Sequence, residues 1–216
     1  TKWVVYAANG EYAVGNFDGK AFTPDGPKIA YNYGNCFYAS QTYNNIPAED
    51  GRRIQVAWGT TGHPDMPFNQ MMDFPVSLTL RGTEEGLRLF AEPVREIASI
   101  YGEKKAFTEK IVKADAPWAI DGASELMDMS VEFAVGEADS FGILINGLSI
   151  SYEKAAQTLS CKDKKAPLTP VDGKIRLRLL VDRESIEIFA NDGRVYMPMA
   201  VIMPDHAEAP AIFSKG

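Results

Sequence analysis

A chain that makes or breaks bonds by acid–base or nucleophilic chemistry must hold carboxylates, histidines, thiols or hydroxyls in fixed positions. The 216 residues contain 29 Asp and Glu and two His. Paired carboxylates could cleave a glycosidic bond, one protonating the leaving oxygen and one attacking. Most candidates, however, stand where a turn needs them. Asp18 in FDGK, Asp50 in EDGR, Asp121 in DGAS and Asp192 in NDGR each precede Gly. Asp caps its own backbone there, and Gly takes the positive φ. Glu11 reads as an edge residue at the start of a strand, and Asp182, Arg183 and Glu184 as a charged turn. His63 in TGHPDMP and His206 in PDHAEAP read as solvated loop residues, with no Ser or Cys in a nucleophile setting beside them. There is no phosphate-binding glycine loop, no HExxH and no zinc-type Cys/His spacing. Cys36 and Cys161 lie far apart and read as two unrelated thiols, which leaves the compartment open.

The remaining candidate is the stretch FYASQTYNNIPAEDGRRIQVAWG, residues 37–59. It reads as a β-hairpin with a long loop over NNIPAEDG. Alternate strand residues share a face. Tyr38, Ser40 and Thr42 are therefore expected together, with Phe37, Ala39, Gln41 and Tyr43 opposite. An aromatic ring beside hydroxyl and amide groups can pack on the C–H face of a sugar while the polar groups take its hydroxyls. Core packing explains the same aromatics, and composition leaves both readings open.

The elements that must position this hairpin are almost all strands. Short apolar runs bounded by turn signals recur at 3–8, 11–17, 35–43, 52–59 and 74–81, then again from 125 onward. NG at 9–10 and 146–147 and NDG at 191–193 are hairpin turns. Val131, Phe133 and Val135 share one strand face; Ile175, Leu177 and Leu179 alternate with Lys174, Arg176 and Arg178. PVREIASIY holds the best short-helix candidate. Strands spaced in this way predict an all-β sandwich, barrel or propeller blade, with a boundary near YGEKKAFTEK (101–110).

Hydrophobic residues make up 45% of the chain and charged residues 24%, as in ordinary globular proteins. The net charge of −7 argues against nucleic acid or an anionic membrane surface as partner. No run of about 18 apolar residues is present, so no transmembrane helix is expected. The opening TKWVVYAANG and the closing PAIFSKG both break off in strand-like runs, which suggests a piece of something longer.

NYGNCFYASQT, GRRIQVAWG, MPFNQMMDFPVSLTLR and LRLFAEPVREI, taken in order, resemble the family 32 glycoside hydrolases, the levanases, inulinases and invertases. ANGEYAVGNFDGKAF resembles strands of that family's fourth propeller blade. SISYEK and IRLRLLVDRESIEIFANDGRVYMP resemble the sandwich that follows the propeller. The resemblance implies an all-β chain, the last part of a five-bladed β-propeller (residues 1–98) followed by a β-sandwich (99–216) lacking its last strand. It also implies cleavage of β-fructosidic bonds in fructan or sucrose, with retention.

The family's nucleophile, transition-state stabiliser and acid/base lie in W-M-N-D-P-N-G, R-D-P and E-C motifs, and none of these strings occurs here. No catalytic residue is therefore expected in this chain, and by itself it is expected to be inactive. Two matching positions imply sugar-pocket residues, Tyr38 of F-Y-A and Trp58 at the end of the next strand, with Phe37 and Tyr43 packing between blades. Cys36 stands where many members have Asp, so contacts to the distal part of the substrate are expected to differ. Phe68, Asn69 and Gln70 would line the pocket rim. Pro75-Val76-Ser77-Leu78 replaces P-R-E-L, with the loss of two charges. No metal or organic cofactor is implied, because two carboxylates suffice. The implied partners are a fructan or sucrose-type carbohydrate and either the missing propeller portion or a second copy. Extracellular or periplasmic location is favoured if the substrate is a polymer. The competing expectation is a non-catalytic carbohydrate-binding or structural β-sandwich module.

Overall fold

The computed structural model describes residues 1–122, 124–203 and 208–216, so His206 lies outside the described residues. The first strands are β1 (Trp3–Tyr6), β2 (Glu11–Phe17), β3 (Phe22–Pro24), β4 (Ile29–Ala30), β5 (Tyr38–Thr42), β6 (Arg53–Gly59), β7 (Met71–Met72), β8 (Val76–Thr83) and β9 (Gly86–Pro93). The helix expected in PVREIASIY is a short 3-10 helix over Arg95–Ile100. There follow β10 (Trp118–Ala119), β11 (Met127–Ala134), β12 (Ser140–Ile145), β13 (Leu148–Glu153), β14 (Thr158–Cys161), β15 (Lys164–Pro167), β16 (Lys174–Val181), β17 (Ser185–Ala190), β18 (Val195–Ala200) and β19 (Ala211–Lys215).

These strands make four antiparallel sheets. β1-β2-β3, with β4 on β2, form the first, and β5-β6-β8-β9, with β7 on β6, the second. The order β10-β19-β12-β13-β14-β15 gives the third, and β11-β16-β17-β18 the fourth. Turn chemistry explains the hairpins. Asn146 and Gly147 have φ of 48° and 77°, so both central residues take the left-handed region that a twist-matched two-residue turn requires.

The third and fourth sheets pack face to face through Ile143, Ile150, Leu159, Leu177, Leu179, Ile188 and Met197. The fourth sheet is unusual in being covered on both faces. Its other face contributes Leu180, Phe189 and Tyr196 to a second core, shared with Tyr12, Ile54, Val76 and Leu89 of the first two sheets and with Tyr31 and Phe37 from the segment between them. This is why all six residues of SIEIFA in β17 are buried, where a one-sided strand would alternate. Backbone contacts run across the same joint. Tyr33 N–H donates to the Tyr196 carbonyl at 2.9 Å, Asn35 and Cys36 N–H donate to the Pro198 carbonyl at 3.0 and 3.1 Å, and Ala91 N–H donates to the Gly193 carbonyl at 3.0 Å. A Cβ on Gly34 would sit 1.8 Å from the Pro198 oxygen, so only glycine permits this approach. The first sheet is covered on one face only: Val4 and Tyr6 join the second core, whereas Trp3, Val5 and Phe17 stay exposed.

Candidate functional site

The expected hairpin forms, and its register carries a bulge. Tyr38 pairs with Trp58, and the next pair is Gln41 with Val56, so β5 spends one extra residue. Ala39 absorbs it at φ 48°. The bulge breaks the simple alternation and corrects the expected grouping of Tyr38 with Ser40. Ser40 turns inward, accepting a hydrogen bond from Gln55 Nε2 at 3.2 Å, while Gln55 Oε1 accepts from the Tyr31 hydroxyl at 2.7 Å. Tyr38 is left outside, 49% exposed, beside Trp58 at 41%. Their rings meet edge to face at 6.2 Å and 61°. Met72, paired with Trp58 across the next strand, is also exposed. Tyr38, Trp58 and Met72 thus form a row across β5, β6 and β7. Phe37, by contrast, is buried edge-on between Tyr31 and Tyr196, and Tyr43 is exposed.

Directly behind this row lies a set of buried polar groups. Cys36 is 0% exposed, and its Sγ lies 3.9 Å from Asp73 Oδ1. A direct ligand contact from Cys36 is therefore not proposed. Burial pushes the thiol up to about 12, so it stays protonated and unreactive. Asp73 Oδ2 is buried with no partner among the described residues. Glu187, fully buried, accepts from Phe74 N–H at 2.7 Å and from the Tyr196 hydroxyl at 2.6 Å. Two donors on Glu187 suit its anion; Asp73, with none but a distant thiol, suits the neutral acid. Burial raises both carboxyls, and the charge of Glu187 raises Asp73 further. Sequence reasoning missed this pair. The signal available was an acid inside each of two otherwise apolar runs, MMDFP and SIEIF.

The rim residues lie in the 60–70 loop between β6 and β7. Phe68 and Asn69 are exposed. Gln70 has φ 69° and keeps its Oε1 buried without a hydrogen-bond partner among the described residues. His63 is not the solvated residue expected. Its Nδ1 contacts the Glu184 carboxylate, its Nε2 lies 2.9 Å from the Gln70 carbonyl, and Phe68 packs edge-on against its ring at 4.9 Å. Glu184 is accordingly more than a member of a charged turn. Asp18 and Asp50 cap their turns as expected: Asp18 accepts from Lys20 and Ala21 N–H at 2.8 Å, and Asp50, held at about 2 by Arg52, accepts from Arg52 N–H at 3.3 Å. Among the described residues no three His, Cys, Asp or Glu side chains converge to hold a metal ion.

An exposed Tyr–Trp pair backed by rigid strands can stack on a flat apolar face, and the rim loop offers amide groups to hydroxyls. Asp73 and Glu187 belong to the buried joint and Glu184 meets His63, while Asp65 stands exposed in the rim loop.

Comparison with known proteins places the chain. Residues 6–93 match the glycosyl hydrolases family 32 N-terminal domain, and residues 96–216 match the family 32 C-terminal domain. The levanase of Bacillus subtilis (strain 168) is 28% identical over 248 residues, covering 95% of this chain and 36% of that protein. The exo-inulinase structure from Aspergillus awamori superposes with a TM-score of 0.86 at 21% identity, over 100% of this chain and 51% of that one. Fructan 1-exohydrolase IIa from Cichorium intybus gives 0.77 at 18% identity, over 95% of this chain and 51% of that one. At these identities the structural likeness speaks for the fold, and the chain spans about half the length of these structures or less of the curated relatives. The chain belongs to glycosyl hydrolase family 32, and its fold is the last part of a β-propeller followed by a β-sandwich.

Proposed function

We propose that this chain is the C-terminal part of a glycoside hydrolase that cleaves β-fructosidic bonds of fructan or sucrose with retention. Tyr38 and Trp58 form one wall of its sugar site, with Phe68, Asn69 and Gln70 at the rim. The observation that carries this reading is the exposed edge-to-face pair Tyr38–Trp58, held on paired strands at the two positions that the family resemblance assigns to the pocket. A retaining mechanism needs an attacking carboxylate and a protonating one roughly 5–5.5 Å apart. The strings carrying them in the family are absent from these 216 residues, so both are supplied from outside, and the chain alone is inactive. The exposed face of Trp3, Val5 and Phe17 supports further propeller strands as the neighbour of the first sheet.

The test is fructose release from levan, inulin and sucrose by the full-length gene product, its Trp58→Ala variant and the 216-residue chain. Release by the full-length product, a raised KM in the variant and none from the chain support the reading. A full-length product that releases no fructose removes it.

A further inference from the structure

The 60–70 loop is tied to the sandwich at Glu184. Thr61 Oγ1 donates to the Glu184 carbonyl at 3.3 Å, and His63 Nδ1 meets the Glu184 carboxylate, in the turn between β16 and β17. Glu184 is itself fixed, since its carbonyl also accepts from Val201 N–H at 3.0 Å. The His63 and Glu184 side chains are only 11% and 17% exposed, so water screens the pair weakly. Oε2 of Glu184 has no hydrogen-bond partner besides His63 among the described residues.

The ring's other nitrogen faces a second acceptor, the Gln70 carbonyl. The ring thus bridges the Glu184 carboxyl group and the carbonyl of Gln70, a residue at φ 69° immediately before β7. Trp58 pairs with β7, so the loop's far end is fastened beside the aromatic row.

We propose that Glu184 and His63 form a single clamp by which the sandwich positions the rim of the sugar site. This rests on the proposed reading of Tyr38 and Trp58 as a sugar wall. The sandwich then tunes substrate binding without touching substrate, and Glu184 and His63 are positioning residues. Losing either one frees the same loop, so their effects are those of one unit.

The experiment uses the full-length gene product with Glu184→Ala, His63→Ala, the double variant, the milder Glu184→Gln and the wall variant Trp58→Ala. Each clamp single is expected to raise KM for the fructoside about tenfold with kcat changed less than about twofold. The double variant is expected to be no worse than the worse single, the mark of a shared role. Hydrogen exchange in peptides covering 60–72 is expected to quicken in every clamp variant, least in Glu184→Gln. If Trp58→Ala raises KM while the clamp variants leave KM and exchange unmoved, the clamp is wrong and the sugar-wall reading stands. If Trp58→Ala changes nothing, the sugar-wall reading falls, and the exchange data alone decide the clamp. Additive effects in the double variant overturn the single-unit mechanism.

Discussion

Asp73→Asn is expected to make stability less sensitive to pH. In the folded chain Asp73 is 2% exposed, with one oxygen unpartnered, and burial first and then the nearby Glu187 carboxyl raise it. It therefore keeps a proton that the unfolded chain releases near the ordinary carboxylate value. Where only the folded state holds the proton, stability falls as pH rises, by about 1.4 kcal/mol per pH unit for one retained proton. The fall begins just above the ordinary carboxylate range and ends when the folded carboxyl titrates. Asn has no proton to lose, so between pH 6 and 8 the variant gains about 3 kcal/mol on the parent, against a typical total of roughly 5–15. Urea unfolding at pH 6, 7 and 8 measures both slopes. Groups remote from Asp73 cancel in the comparison. Parallel stability–pH curves would refute the reasoning, because they would mean that Asp73 is ionised in the folded chain.

Tyr196→Phe removes the hydroxyl that donates to Glu187 at 2.6 Å and leaves a buried carboxylate oxygen without that donor. It is expected to cost about 1.5–3 kcal/mol in urea unfolding; a loss under 0.5 would indicate that Glu187 is not the anion. Gly34→Ala places a methyl group against the Pro198 carbonyl, which has no flexible side chain to yield. It is expected to cost more than about 2 kcal/mol and to expose the joint between the second and fourth sheets. Leu179→Ala, in the sandwich core, is expected to cost about 2–5 kcal/mol while leaving proteolytic protection of residues 1–93 closer to parental than Gly34→Ala does.

Much of the fold was legible because its signals are local. Asn146-Gly147 and Asn191-Asp192-Gly193 announce turns by residue type, and all five of these residues take positive φ. Val131, Phe133 and Val135 lie on the core side of the fourth sheet, as their spacing implies. The bulge at Ala39 was not legible. It carries no Gly or Asn, and its left-handed φ is imposed by pairing with β6. One such residue moved Ser40 from the tyrosine's face to the interior. The clamp and the acid pair failed for a different reason. His63 and Glu184, like Asp73 and Glu187, are more than a hundred residues apart in the chain, and each looks ordinary where it stands. The two-sided burial of β17 was half visible in the unbroken apolar character of SIEIFA, with Glu187 as the exception that required a partner.

We propose that Tyr38 and Trp58 bind the sugar of a fructoside-cleaving enzyme whose reacting carboxylates lie outside this chain. The decisive measurement is fructose release by the full-length gene product, with and without Trp58→Ala. Release from levan, inulin or sucrose by the parent is expected, with a KM raised about tenfold or more in the variant. Release by the parent with an unchanged KM in Trp58→Ala would contradict it.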